Sequence, residues 1–488
     1  MKAVHLITSI WLACCSPFGV RGEYVTIPST LSPNYAIRAK DLTGQVCDSG
    51  SNNTVGWADL GSHHLFYWFH QARTQHLSKP LVLWLQGGPG NSGFFGNFLE
   101  HGPCRLEGTP AEAVRHEHPW TELFNVIYVD QPVNVGFSYS DDSSGVNRAE
   151  AAAIELVDFM RVFYEGYPGM RDVPLFIAGE SYGGRYVPMT AAALIEFNKF
   201  QPRPGDAIPL KGIMVGNGYT SPADVYSSGY ELGCFPFKGF RNYFNSSECA
   251  RFSTTLPECL DLLRACEALP GSAICYRSAE FCLGEFEFEK LRPQHSWDRR
   301  KYCDPPEKCI ETSRAVTAWM NTPETWELLE IESQTNKVRP VGVANGTVSE
   351  QFIQSGDIGE STVTALERIL QYASEERARG SGRDIDVLYY NGVTDILCTS
   401  VGTRRTLENL KWPGEGLYRA SPWETLSWKT VEGVSAGQLK RADGLWYAEL
   451  ENAGHLVPTD QPIVILKLLS SWLGKSLFSE RVGNNDEL

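Results

Sequence analysis

The sequence predicts an α/β fold whose centre is a mostly parallel sheet, interrupted by an insertion held by disulfides. Three observations carry this: apolar runs alternate with helical patterns, a Gly-x-Ser-x-Gly run follows one apolar run, and eight cysteines crowd into one segment. Val55 to Phe69 alternates as paired antiparallel strands do. Pro80 to Leu85 is an unbroken apolar strand running into Gly87-Gly88-Pro89-Gly90. Asn125 to Asp130 reads as a second buried strand and Arg148 to Tyr164 as a long helix. Val173 to Ala178 is the strand before the Gly-x-Ser-x-Gly run, and Arg185 to Ala193 continues after it as helix. Leu210 to Val215 is a further strand, closed by Gly216-Asn217-Gly218. From Asn217 to Gly346 the pattern breaks into short helices, prolines and cysteines. Sheet character returns at Asp386 to Asn391 and Leu445 to Leu450, and a last helix runs from about Gln461 to Leu473. The expected organisation is a signal over 1–22, a first core part over 23–216, a cysteine-rich cap insertion over 217–346 and a second core part over 347–488.

With 42% apolar and 21% charged residues, the 488-residue chain has the composition of a globular protein. Its net charge of −15 excludes nucleic acid as an expected partner, because nothing would neutralise phosphates. Lys2, the apolar run Leu6 to Cys15, and Val20 and Gly22 before a cut site read as a secretory signal. A membrane span needs about 20 apolar residues, more than this run holds, so no membrane association is expected. Cys14 and Cys15 leave with the signal. Cys234, Cys249, Cys259, Cys266, Cys275, Cys282, Cys303 and Cys309 form the cluster, with His295 as the one histidine among them. In an oxidising compartment these are expected as disulfides and not as a zinc site. Cys47, Cys104 and Cys398 lie outside it, and the odd total leaves at least one thiol outside any intramolecular pair. Asn52, Asn245 and Asn345 open glycosylation sequons. The ending Asp486-Glu487-Leu488 matches the close of an endoplasmic-reticulum retrieval signal, although the residue before it is not the usual one.

Gly179-Glu180-Ser181-Tyr182-Gly183 lies between a strand and a helix, the setting of a nucleophile elbow. Glycines there let the chain turn sharply and leave the serine hydroxyl exposed. Serine needs a base, normally a histidine oriented by a carboxylate. In the α/β-hydrolase layout these follow in the order serine, acid, histidine. Only His295 and His455 follow Ser181, and His455 sits in a glycine-led loop between the Leu445–Leu450 strand and the last helix. Asp395 follows the Val387–Tyr390 strand on its outgoing side, whereas Asp384 and Asp386 precede that strand. Ser181, Asp395 and His455 are therefore the candidate triad. The oxyanion hole is expected from the backbone N–H groups of Tyr182 and Gly88, the latter in the glycine run after an early strand. This chemistry needs no metal and no organic cofactor.

Five motifs together resemble the serine carboxypeptidase family, its secreted fungal branch in particular: Trp84-Leu85-Gln86-Gly87-Gly88-Pro89-Gly90, Glu100-His101-Gly102-Pro103, Asp130 to Tyr139, Gly179 to Pro188, and Gly454-His455-Leu456-Val457-Pro458. The resemblance spans nearly the whole mature chain and is weakest across the cysteine-rich insertion. It implies an α/β-hydrolase fold and removal of C-terminal residues from peptides at acid pH through an acyl-enzyme. It also implies that Trp84, Gln86, Gly87 and Glu180 bind the substrate's terminal carboxylate, with Glu100 bonded to Glu180. Two carboxyls in contact cannot both ionise cheaply, and a protonated Glu180 can donate to a carboxylate that its ionised form would repel. The chain departs from the family at Gln86, where asparagine is usual, and at Asn91 and Gly93, which replace a cysteine and a serine. Gly183 and Arg185 likewise stand for alanine and histidine. Cys398 matches a family cysteine near the active site and is the candidate free thiol. The expected partners are peptide or protein C-termini, the expected state a monomer or homodimer, and the expected place the secretory pathway, vacuole or exterior. Gln86 also raises an acyltransferase or esterase on the same scaffold as an alternative. A catalytically silent binding or protective protein is the other, against which the complete serine, acid and histidine set argues.

Overall fold

The computed structural model describes residues 22–108, 110–200, 206–286, 292–429 and 435–477. The expected signal up to residue 21 and the Asp-Glu-Leu ending lie outside the described residues.

Fifteen strands occur in chain order among the described residues. They are β1 (Val25–Pro28), β2 (Tyr35–Asp41), β3 (Asn53–Leu60), β4 (His63–His70), β5 (Leu81–Leu85), β6 (Cys104–Glu107), β7 (Glu112–Arg115), β8 (Asn125–Val129), β9 (Tyr139–Ser140), β10 (Leu175–Glu180), β11 (Leu210–Gly216), β12 (Asp386–Gly392), β13 (Glu424–Lys429), β14 (Ser435–Ala442) and β15 (Leu445–Leu450). Thirteen of them form one sheet in the order β1-β2-β3-β4-β8-β5-β10-β11-β12-β15-β14-β13, with β9 paired to β4. The six central strands from β8 to β15 are parallel, and antiparallel strands flank them on both sides.

The period of two along each central strand sorts side chains to opposite faces. Leu81, Leu83 and Leu85 join Leu175, Ile177, Val387 and Tyr389 in a core on one face. The helices α1 (Ala149–Gly166) and α2 (Gly183–Lys199) cover that face. Val82, Trp84, Phe176, Ala178, Leu388 and Tyr390 turn to the other face. There the last helix, which runs over Pro462–Leu477, buries Leu468, Leu469 and Trp472 against them. Buried on both sides, the parallel strands are nearly all apolar, which is why their sequence reads as continuous runs.

The chain between β11 and β12 adds no strand to the sheet among the described residues. It opens with α3 (Pro222–Cys234), α4 (Ser246–Ala268) and α5 (Ala273–Phe286), which bury a core of their own around Phe244, Phe252 and Phe286. Four disulfides staple it: Cys234–Cys249, Cys259–Cys282, Cys266–Cys275 and Cys303–Cys309. A fifth, Cys47–Cys104, ties the N-terminal strands to the small β6–β7 hairpin. Cys398 is buried and keeps its thiol.

Candidate active site

Parallel register brings the site residues to one edge. Leu85 of β5 lies beside Gly179 of β10, and Glu180 lies beside Gly216 of β11, which in turn neighbours Tyr390 of β12. The C-terminal ends of these strands therefore carry Gln86 and Gly87, Glu180 and Ser181, and Asn217 side by side. The loops after β12 and β15 add Asp395 and His455. The outgoing ends of parallel strands are where open α/β sheets place their ligands.

Ser181 turns the chain from β10 into α2 with φ +60°, a left-handed conformation that a non-glycine residue holds only when its surroundings impose it. They do so here: the Ser181 N–H donates to the Gly216 carbonyl at 3.2 Å, and the Ser181 carbonyl accepts from Gly184 and Tyr219 at 2.8 and 2.7 Å. Gly87 passes so close to this elbow that an added Cβ would stand 2.6 Å from Tyr182 N and 2.7 Å from Ser181 Cβ. The glycine run thus lies directly over the elbow. Asn345 and Ser349 hold it from outside, with Asn345 N donating to the Gly90 carbonyl and Ser349 Oγ to that of Pro89.

His455 Nδ1 lies 2.7 Å from Asp395 Oδ2, and both side chains are buried. Asp395 is fully enclosed and accepts three further bonds, from Asn217 Nδ2 at 2.8 Å, Leu397 N at 2.8 Å and Cys398 N at 3.2 Å. Asn217 also accepts from Gly392 N at 3.1 Å, so one side chain orients the acid and fastens its loop to β12. Sequence reasoning places Asn217 only at the end of a strand and misses this role. Its position between two glycines at the outgoing end of a buried strand is the signal that could mark it.

The second cluster lies behind the elbow on the face that the last helix covers. Trp84 Nε1 donates to Gln86 Oε1 at 2.8 Å, and Gln86 Nε2 donates to Glu100 Oε1 at 3.4 Å. Glu100 and Glu180 are both buried and lie close enough that each acts on the other's proton affinity. Burial pushes Glu100 up to about 7, opposed by its Glu180 and Gln86 neighbours. Burial and then the Glu100 charge push Glu180 well above the ordinary carboxyl range. Among the described residues, Glu100 Oε2 and Glu180 Oε2 have no hydrogen-bond partner. His101, which follows Glu100, stacks on Trp120 with ring centroids 4.0 Å apart and packs edge-on against Trp84, fixing the indole that begins this chain of bonds.

Arg185 is buried and pairs with Asp357 at 2.9 Å, and Asp357 also accepts from the Tyr182 hydroxyl. Tyr182, whose N–H faces the glycine run, is thereby anchored by its ring hydroxyl. Among the expected glycosylation sites, Asn52 and Asn245 are exposed. Asn245 caps α4 and Asn345 caps the helix over Gly346–Gln354, and Asn345 Nδ2 also donates to the Asn134 carbonyl at 2.9 Å.

The family model described as serine carboxypeptidase matches residues 49–475. The chain is 30% identical over 478 residues to carboxypeptidase Y homolog A of Trichophyton rubrum, covering 96% of this chain and 81% of that one. It is 30% identical over 424 residues to carboxypeptidase Y homolog A of Sordaria macrospora, covering 86% and 72%. In fold it resembles the crystal structure of Kex1(delta)p, a prohormone-processing carboxypeptidase from Saccharomyces cerevisiae. That likeness has a TM-score of 0.72 at 20% identity and covers 90% of this chain and 94% of that one.

Proposed function

The chain belongs to the serine carboxypeptidase family, and from that premise we propose how its residues divide the work of releasing C-terminal amino acids from peptides. Ser181 Oγ attacks the carbonyl of the last peptide bond while His455 takes its proton, and Asp395 holds the imidazole in the tautomer that can accept it. The backbone N–H groups of Gly88 and Tyr182 stabilise the oxyanion. The tetrahedral intermediate collapses, His455 protonates the departing amine, and water then hydrolyses the acyl-enzyme through the same base. The His455–Asp395 bond of 2.7 Å and the enforced φ of Ser181 support these roles.

The single observation that carries the substrate reading is the buried Glu100–Glu180 pair, one residue from the nucleophile and bonded through Gln86 to Trp84. Glu180 keeps its proton at acid pH, and its second oxygen has no hydrogen-bond partner among the described residues. A protonated carboxyl there donates to the terminal carboxylate of a bound peptide, and Trp84, Gln86 and Gly87 complete that end of the site. An internal peptide bond brings no such carboxylate, so the pair selects C-termini.

Five disulfides support a secretory route for the chain, with the insertion over 217–346 acting as a cap. No helix among the described residues is long and apolar enough to cross a membrane. The working form is a monomer or homodimer. The test is covalent labelling with a fluorophosphonate, followed by peptide mapping. One label per chain on Ser181, lost in Ser181→Ala and strongly slowed in His455→Ala, is expected; a label on any other residue overturns the assignment.

A further inference from the structure

Both loops that carry the proposed base and acid are bonded to the same short stretch of the cysteine-rich insertion. The His455 N–H donates to the Trp297 carbonyl at 2.6 Å, Arg299 N donates to the Thr394 carbonyl at 3.0 Å, and Ile396 N donates to the Ser296 carbonyl at 2.9 Å. An added Cβ on Gly454 would stand 2.3 Å from the Trp297 carbonyl oxygen, so only glycine lets the two backbones approach this closely. Side chains reinforce the contact. Asp298 Oδ1 accepts from Thr394 Oγ1 at 2.8 Å, and the Thr394 hydroxyl also faces the Ala453 carbonyl at 2.8 Å. Arg300 grips Asp298 with Nη2 at 2.6 Å and Nε at 2.9 Å. The same guanidinium reaches the Asn452 carbonyl at 2.6 Å and Asp460 at 3.2 Å, while Asp460 accepts from Gly454 N at 2.8 Å. Lys301 bonds the other Asp460 oxygen at 3.0 Å.

The stretch is fixed to the insertion at its other side. Arg299 is 2% exposed and donates to the carbonyls of Leu232 and Arg241 at 3.2 and 2.6 Å, with its guanidinium over the Phe240 ring. His295 accepts from Trp297 N at 3.0 Å, as a neutral ring does; burial and then the Lys301 charge push it down to about 4. Burial acts to raise Asp298, but Arg300 and Lys301 outweigh it and hold the carboxyl below its usual range, so Asp298 keeps its charge to lower pH than an ordinary aspartate.

We propose that residues 294–301 form a strap that positions His455 against Asp395, with Asp298 and Arg300 as its positioning residues. The strap touches the base loop and the acid loop together, so loosening it moves one relative to the other. It rests on the reading of His455 as the base. A misplacement of about 1 Å in such a pair costs up to about a hundredfold in rate.

The test uses the full chain carrying Asp298→Asn, Arg300→Gln or Arg300→Lys, with Arg251→Gln as a control in an ion pair with Glu285 elsewhere in the insertion. The expected result is that Asp298→Asn and Arg300→Gln lower kcat and the rate of fluorophosphonate labelling of Ser181 in parallel, by about ten- to a hundredfold. KM stays within about twofold, Arg300→Lys recovers part of the loss, and Arg251→Gln changes nothing. Unchanged kcat and labelling in folded variants, or a raised KM with kcat intact, would overturn the proposal. Should Arg300→Gln not fold, Asp298→Asn, which keeps the shape, and Arg300→Lys, which keeps the charge, decide it by the same readouts. His455→Ala separates the underlying reading: labelling at the wild-type rate in that variant refutes the base itself and not only its strap.

Discussion

Gln86 is one methylene longer than the asparagine the family resemblance leads one to expect, and that length is used. Its carboxamide spans from Trp84 Nε1 to Glu100 Oε1, at 2.8 and 3.4 Å. Asparagine is one methylene shorter than this span, and a lost hydrogen bond is worth about 0.5–1.5 kcal/mol. Gln86→Asn is therefore expected to raise KM for peptides with a free C-terminus by about two- to tenfold, with amidated peptides nearly unaffected. Steady-state kinetics on matched peptide pairs checks this. Glu180 is legible from sequence because it directly precedes the elbow serine. Its partner is legible only through the motif order, since Glu100 stands eighty positions away and no local pattern joins the two.

At the scale of elements, the elbow between β10 and α2 works only because the loop after β5 can pass over it. Gly87→Ala places a methyl 2.6 Å from both the Glu180 carbonyl oxygen and Tyr182 N, so the loop must lift and draw away Gly88, the proposed oxyanion donor. Loss of one such donor costs about 10²–10³ in kcat, with binding less affected. Measurement of kcat on the folded variant checks this. The central strands β5, β8, β10, β11, β12 and β15 are legible because burial on both faces demands continuous apolar runs. β1 and β2 at one edge, and the β13–β14 hairpin at the other, are not. Tyr35–Asp41, for example, mixes Arg38, Lys40 and Asp41 with apolar residues because an outer strand meets solvent and ion partners. The strap at 294–301 is illegible for a different reason. Its bonds to the loops after β12 and β15 join residues more than ninety positions apart, and a charged run such as Asp298-Arg299-Arg300-Lys301 looks like any solvated loop.

For the whole molecule, the buried acids set how stability varies with pH. Glu100 and Glu180 are raised in the folded chain, so the folded state binds more protons than the unfolded one above the ordinary carboxyl value. Their contribution is fully present below about pH 4.3 and is lost as pH rises through the folded-state values, each tenfold difference in proton affinity being worth about 1.4 kcal/mol. Asp130, pushed by burial to about 6, acts in the same sense. Asp357 runs the other way: burial pulls it up, but Arg185 and Tyr182 outweigh that and hold it low, so its contribution disappears as pH falls. Denaturant midpoints should therefore peak in mildly acid solution. The Glu100→Gln, Glu180→Gln double variant should flatten the decline towards pH 8, and an unchanged decline would place its origin elsewhere. In the proposed mechanism the same proton serves substrate binding, and the most direct measurement is kcat/KM against pH for one peptide with a free and with an amidated C-terminus, in wild type and Glu180→Gln. The wild type should lose activity on the free acid as pH rises while activity on the amide falls less, and Glu180→Gln, which donates at every pH, should bring the two profiles together. Identical pH profiles for both substrates in the wild type would contradict the account.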